Sequence, residues 1–448
     1  MEGSIRDLLM GPKFPDREFV RSGATFGEVY AMAAGLRADL AGPGYQGASV
    51  CLAVANRAVL AAALLASLAG GPALLLPYAF STQAFARMRQ LTGFTTAISD
   101  LAMDFPKGTK IIRPQPGNTA GLATGARVLP ESELLKIFTG GSTDAPQIWL
   151  KTVRNLFGEG FFLARYFAVT EKDCIVATVP PYHIYGLLFS VILPLVSSAT
   201  VIADTPSFPG EIADAVQESK ATILASIPPH YRAMRERKIV DSSLRIAFSS
   251  AGMLDAEDNA AFSLLNKAGV VEVYGSTETG GIAFRNRSLG ETSFTAFPTV
   301  SWKIKDQRLC VRSSYLSPEL PLADDGFFTT GDRAEPGGTN EFILKGRSDG
   351  VTKVGGKRVD LEEIRAVIRK APGVSDCVVM ALPEAGSREH RIVTLVQGTE
   401  VDVDQIRKTL VSSLESYALP RFIKTINRIP LKENGKYDRD TIIQLFAI

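Results

Sequence analysis

The residues with the most chemical capacity sit where short apolar runs give way to small, hydroxylic or charged ones. Leu134 to Pro146 reads LLKIFTGGSTDAP. A strand predicted over Leu135 to Phe138 runs into Thr139, Gly140, Gly141, Ser142 and Thr143. Small residues let backbone N–H groups approach phosphate oxygens, and the hydroxyls add donors. The stretch is not the P-loop of nucleotide triphosphatases, which ends in Gly-Lys-Ser/Thr. Alone, it reads equally as a phosphate cradle or a plain polar turn. Pro180 to Gly186, PPYHIYG, carries His183 among aromatics, where a lone histidine is usually a satisfied core residue. Val270 to Gly281, VVEVYGSTETGG, is a strand ending in Tyr274, Gly275, Ser276, Thr277 and Glu278. Ile429 to Arg439, IPLKENGKYDR, places Lys436 on an Asn-Gly turn, usually a solvated position.

The elements that must position these residues alternate along the chain. Helices are predicted over Thr25 to Leu40 and Gln83 to Leu91, and strands over Ala48 to Ala55, Ala73 to Leu76 and Thr95 to Ser99. The apolar run from Val59 to Leu76 is broken by Gly70, Gly71 and Pro72, so it reads as a buried helix and then a strand, not a membrane span. Further strands are expected at Cys174 to Val179, Val201 to Ala203, Thr222 to Ser226, Leu244 to Phe248 and Val270 to Tyr274, with a helix over Gly210 to Ser219. Trp302 to Val311 reads as a hairpin turning at Lys305 to Arg308. Such alternation predicts an α/β protein with parallel sheet and helices packed on its faces.

Near the C-terminus the chain reads GRSDGVTKVGGKRVDLEEI from Gly346 to Ile364. A strand over Glu341 to Lys345 leads into a polar connector, Gly346 to Arg358, and then a helix for which Asp360 and Glu363 have capping-box spacing. By itself the connector is a hinge or an ordinary surface loop. Beyond it, strands over Cys377 to Leu382, Ile392 to Val396 and Arg421 to Ile426, with a helix over Asp402 to Ser416, suggest a small α+β unit.

Composition narrows the functional classes. The 448 residues are 46% hydrophobic and 21% charged, ordinary for a globular chain with a sizeable core. A formal net charge of +2 gives no strong field for nucleic acid or an acidic membrane surface. Cys51, Cys174, Cys310 and Cys377 are scattered without metal-ligand spacing, which argues for a reduced, cytoplasmic setting and no structural zinc. The N-terminal MEGSIRDLLMGPK lacks the apolar core of a signal peptide.

Taken together, the motifs resemble those of the adenylate-forming superfamily, which includes acyl- and aryl-CoA synthetases and the adenylation domains of peptide synthetases. Residues 346–364 are similar to its hinge motif, with Asp349 at the hinge. Thr139, Gly141, Ser142, Thr143 and Pro146 match its phosphate loop, while Asp144 replaces a glycine and Gln147 a lysine. Lys151 lies nearby as a substitute cation. His-Ile-Tyr-Gly resembles the carboxylate-pocket motif, and Ile227 to His230 the strand end bordering the acyl pocket. Ala251, Gly252 and Met253 correspond to the segment lying against adenine. Tyr-Gly-x-Thr-Glu is matched in full: the resemblance implies Tyr274 stacking on adenine beside Gly275 and Ser276, Thr277 on phosphate and Glu278 on magnesium. Those roles suit a π-face, an O–H and a hard oxygen. FFTTGDRAE implies Asp332 on the ribose hydroxyls and Arg347 near the ribose or phosphate, and IPLKENGKYDR implies Lys436 as the catalytic lysine.

The resemblance implies a large multi-sheet N-terminal AMP-binding domain over 1–346 and a small C-terminal α+β lid over 347–448. It also implies ATP- and Mg²⁺-dependent conversion of a carboxylic acid to an acyl-adenylate. His183, Thr277, Glu278 and Lys436 would stabilise charge, and transfer to coenzyme A or to the phosphopantetheine of an acyl carrier protein would follow. Because Asp144 and Gln147 depart from the phosphate-loop pattern, a non-catalytic acyl- or nucleotide-binding relative is the alternative.

Overall fold

The computed structural model describes residues 2–45, 47–115, 122, 129–139, 147–347, 351–354, 357–383, 390–430 and 437–446. The chain divides into two compact units. One comprises Met1–Thr139, Ile148–Thr330 and Ala334–Lys345; the other comprises Gly140–Gln147, Gly331–Arg333 and Gly346–Ile448.

In the first unit, a six-stranded sheet has the order Lys110–Ile112, Thr96–Ser99, Ser49–Ala53, Ala73–Leu76, Glu133–Thr139, Gln147–Thr152. Parallel pairing joins the first five. Thr96–Ser99 is buried throughout and Ser49–Ala53 nearly so, the pattern of strands covered on both faces. The apolar run expected to be broken by Gly70, Gly71 and Pro72 is a helix ending at Leu68 and a strand starting at Ala73. Arg57–Leu68 is a helix buried along its whole length and capped by Asn56, whose side chain accepts from the Ala58 N–H at 2.8 Å. A Cβ at Gly71 would lie 2.7 Å from the Ala66 carbonyl oxygen, so only glycine allows this tight return into Ala73–Leu76. Among the described residues no helix is long and apolar enough to cross a membrane.

The second sheet of this unit has eleven strands and is mixed. Thr200–Val201, Cys174–Ala177, Ile223–Ser226, Ile246–Ser249 and Val270–Ser276 are neighbours in that order and all parallel. Gly280–Asn286 and Phe294–Ala296 then continue it antiparallel. The far edge is the expected hairpin, Ser301–Lys305 with Arg308–Arg312, and Asp306 and Gln307 both have left-handed φ, of 51° and 61°. Two positive φ values in a two-residue loop match the right-handed twist of the flanking strands.

The second unit carries a three-stranded sheet, Val374–Pro383, His390–Gly398 and Phe422–Ile426, with separate apolar clusters about Ile364, Cys377 and Ile406 and about Met380, Leu395 and Ile442. Two expectations are corrected here. The connector 346–358 is not an open loop: Val351–Val354 and Lys357–Asp360 pair as an antiparallel hairpin, and the helix starts directly after it, at Leu361. The helix expected to reach Ser416 ends at Ser413, because Leu414 is already extended.

Candidate active site

The parallel strands of the large sheet all deliver their C-terminal ends to one edge, the place where open α/β sheets bind ligands. The candidate residues of the first unit follow those ends in register. Thr178 to His183 leaves Cys174–Ala177, Ser226 to His230 leaves Ile223–Ser226, Ser250 to Met253 leaves Ile246–Ser249, and Tyr274 to Glu278 closes Val270–Ser276.

His183 is extended, with φ −103° and ψ 146°, directly before the short helix Ile184–Leu187, and its ring centroid lies 4.8 Å from that of Tyr182. Its N–H donates to the Pro180 carbonyl at 3.2 Å. A side chain at Gly186 would collide with the Pro180 carbonyl, so the glycine of His-Ile-Tyr-Gly is what lets the helix start against the Pro-Pro turn. A π-helical segment, Leu188–Ile192, follows; such segments are frequent at functional sites, and the sequence offered no signal for it. Nearby, His230 is on a helix that already starts at Pro228. Its Nδ1 lies 2.8 Å from the Thr178 hydroxyl, which is 2.7 Å from that of Ser226. Burial lowers the His230 pKa, which favours a neutral ring.

The segment expected against adenine leaves its strand through Ala251, whose φ is +67°. The Ser250 hydroxyl donates to the Val273 carbonyl at 2.8 Å, tying this segment to the strand that bears Tyr274. Glu272 fixes the same strand from beneath. Buried, it accepts from Arg285 at 2.8 and 2.9 Å, from Arg287 Nε at 3.0 Å and from the Leu254 N–H at 3.2 Å. The Tyr274 ring stands half-buried, 5.6 Å from Phe294 and 6.0 Å from Phe342.

The turn carrying Thr277 and Glu278 is closed on itself. The Ser276 and Thr279 hydroxyls are 2.8 Å apart, the Ser276 N–H donates to Thr279 Oγ1 at 3.1 Å, and the Thr279 N–H donates to Ser276 Oγ at 3.3 Å. Ladder register shifts at Tyr274/Gly275, and a Cβ at Gly275 would collide with the Gly280 carbonyl. Thr277 and Glu278 are half-buried on this fixed turn.

Behind it lies a buried charged set that the sequence did not reveal. Lys151 is 2% exposed, and its Nζ donates to the Tyr315 carbonyl at 3.1 Å and to the Glu278 carbonyl at 3.4 Å. Glu159 is buried and accepts from the Gly281 N–H at 2.7 Å. Burial lowers the Lys151 pKa to about 8, opposed by the carboxylates of Glu159, Glu278 and Glu319. Burial also pushes Glu159 up to about 7, against the Gly281 N–H and Lys151. Lys151 is thus committed to backbone carbonyls, not standing ready as a substitute phosphate-loop cation.

Thr139 ends its strand, half-buried, and Asp332 lies half-buried within the strand Phe328–Pro336. Arg347 is the last residue of Glu341–Arg347. Gly140, Gly141, Ser142, Thr143, Asp349 and Lys436 lie outside the described residues. In the second unit, the Asp438 N–H donates to the Pro430 carbonyl at 2.9 Å. The Tyr437 hydroxyl donates to Asp376 at 2.7 Å and accepts from Arg365 at 2.9 Å.

Comparison with known proteins adds the following. A family model described as AMP-binding enzyme matches residues 11–318, and one described as AMP-binding enzyme C-terminal domain matches residues 363–436. A sulfoacetate–CoA ligase of Cupriavidus necator is 24% identical over 69% of this chain and 66% of its own length. A 4-coumarate–CoA ligase of Rhodobacter capsulatus is 29% identical over 66% of this chain and 73% of its own. The structure of an o-succinylbenzoate CoA synthetase from Bacillus subtilis superposes with a TM-score of 0.83 at 16% identity, covering 98% of both chains.

Proposed function

The chain belongs to the AMP-binding enzyme family, and from that premise we propose that it activates a carboxylic acid with ATP and passes the acyl group to a thiol. The carboxylate oxygen attacks the α-phosphorus of ATP, the bond to the β-phosphate oxygen breaks, and pyrophosphate leaves. The thiol then attacks the acyl carbon, the carbon–oxygen bond to phosphate breaks, and AMP leaves with that oxygen. The observation that carries this reading is the Tyr274–Glu278 turn. It presents an aromatic ring, a hydroxyl and a carboxylate from one closed hairpin end. Catalysis of this kind is charge stabilisation by groups held in place beforehand.

In this reading Tyr274 and the Ala251–Met253 backbone take adenine, Asp332 the ribose, and Thr139 and Thr277 phosphate oxygens, with Gly140, Gly141, Ser142 and Thr143 contributing donors. Gly275 and Ser276 shape the turn. His183 orients the substrate carboxylate, Arg347 serves the ribose or phosphate, and Lys436 supplies a cation to the developing charge. A single half-buried carboxylate, Glu278, on a turn whose backbone is already satisfied, fits Mg²⁺, which binds through few carboxylates plus substrate phosphates. Among the described residues no cluster of three or more His, Cys, Asp and Glu side chains competes as a metal site. When bound, the ion would neutralise phosphate charge.

The thiol is coenzyme A in the first form of the proposal and a carrier protein's phosphopantetheine in the second. CoA is favoured by the His-Ile-Tyr-Gly form and by relatives whose names couple acids to CoA. A non-catalytic relative is the weaker reading for the same reason. The test is a screen of aryl, fatty and hydroxy acids for pyrophosphate release, with CoA and then a carrier protein as acceptor. Release with one acid class and thioester on one acceptor supports the proposal; ATP binding without release on any acid overturns it.

A further inference from the structure

Lys151 is the one fully enclosed cation reaching the back of the catalytic turn among the described hydrogen bonds, and its setting is built rather than incidental. The strand Gln147–Thr152 ends where Thr152 caps the helix Val153–Tyr166. From this junction three buried polar side chains, four residues apart, reach two loops that are distant in sequence. Lys151 takes the Tyr315 and Glu278 carbonyls, Asn155 Nδ2 the Ser314 and Leu316 carbonyls at 2.8 and 3.1 Å, and Glu159 the Gly281 N–H. The loops are also tied to each other, since the Ser317 N–H donates to the Glu278 carbonyl at 2.8 Å. Leu150 adds a further tie, its N–H donating to Glu319 Oε1 at 2.6 Å.

We propose that Lys151 is a positioning residue for the nucleotide: by holding the Glu278 and Tyr315 carbonyls it aims the Thr277 hydroxyl and the Glu278 carboxylate at the phosphates and their cation. The inference rests on the functional reading above and deepens it. A charge-assisted hydrogen bond to each carbonyl is stronger than a neutral one, and both carbonyls would lose a partner if the ammonium were removed. A buried ammonium is costly unless its bonds are made, so its presence here needs a return that an apolar residue would not give. The same strand begins with Gln147 where the resembled phosphate loop has lysine, so this chain keeps its cation four residues further on, behind the turn instead of in the loop.

The test compares the wild-type chain with Lys151→Met and Lys151→Arg. Magnesium-dependent ATP binding is followed by calorimetry, and acid-dependent pyrophosphate exchange is resolved into KM for ATP, KM for the acid and kcat. Lys151→Met is expected to weaken ATP binding in magnesium at least tenfold and to raise the half-saturating magnesium concentration, with the acid KM within twofold of wild type. Lys151→Arg, which keeps charge and donors, should recover part of the loss. Equal magnesium-dependent affinity in wild type and Lys151→Met overturns the inference, as does an equal rise in both KM values. Should Lys151→Met not fold, Asn155→Ser loosens the neighbouring arm and must give a smaller loss of the same ATP-specific kind; none overturns the inference. A wild-type chain that binds Mg·ATP but exchanges no pyrophosphate would overturn the function proposed above, while the binding comparison would still decide the role of Lys151.

Discussion

At Gly275 no atom can be added without moving the backbone opposite, because the Gly280 carbonyl fills the space where a Cβ would go. Gly275→Ala is therefore expected to open the hairpin end at a cost of about 1–3 kcal/mol, visible as a lower thermal unfolding midpoint and a loss of pyrophosphate exchange. Glu278→Gln removes charge while leaving size and backbone contacts alone. It should keep the unfolding midpoint and lower exchange by on the order of a hundredfold or more, the loss of ~3 kcal/mol typical of one preorganised electrostatic contact; an unchanged rate removes Glu278 from the chemistry. These residues were legible in the sequence because they are contiguous: Tyr, Gly, Ser, Thr and Glu follow one another at a strand end. Lys151 and Glu159 were not, since their partners Glu278 and Gly281 lie 127 and 122 residues away and only the fold joins them. Lys151 was visible as a nearby cation but not as a buried one.

Among the elements, the strand Val270–Ser276 is the one whose placement matters most, and Glu272 secures it through two arginines and the Leu254 N–H. Glu272→Ala strands Arg285, itself buried, and should cost about 3–5 kcal/mol, the usual penalty for breaking a buried pair. A midpoint shift in urea unfolding checks this. A second anchor is sensitive to acid. Burial alone would raise the Asp173 carboxyl, but hydrogen bonds from Arg245, the Thr170 N–H and the Thr222 hydroxyl outweigh it and hold the pKa below its ordinary value. A depressed carboxyl stabilises the fold above its unfolded pKa, and that stability is lost as pH falls through the folded pKa. Asp173→Asn should thus be less stable than wild type at neutral pH, with the gap closing as pH falls below the ordinary carboxylate range and through the depressed folded pKa; a gap that persists at low pH assigns the effect to packing. Strand and helix order was readable from apolar run lengths. The hairpin Val351–Val354/Lys357–Asp360 was not, because its Gly-bearing, polar sequence has the composition of a loop and, among the described residues, its two strands pair only with each other.

At the scale of the molecule, the motifs fall in one order along the chain, and the two matched family models, 11–318 and 363–436, leave between them the stretch that contains Asp349. We propose that Asp349 is a hinge and that Lys436 acts in the first half-reaction only. Asp349→Pro, which fixes φ there, should spare either adenylate formation or thioester formation while blocking the other; equal loss of both argues against a hinge. Lys436→Ala should lose pyrophosphate exchange yet still consume a synthetic acyl-adenylate with thiol. What the sequence left open is the acid itself: side chains such as Thr178, Ser226 and His230 converge from separate strand ends, and only the fold joins them.

The most direct measurement follows oxygen. With a carboxylic acid carrying oxygen-18 in its carboxyl group, plus ATP, magnesium and the thiol acceptor, direct attack on the α-phosphorus predicts AMP with one heavy oxygen and unlabelled pyrophosphate. Label in inorganic phosphate, or thioester formed with unlabelled AMP, would contradict the account.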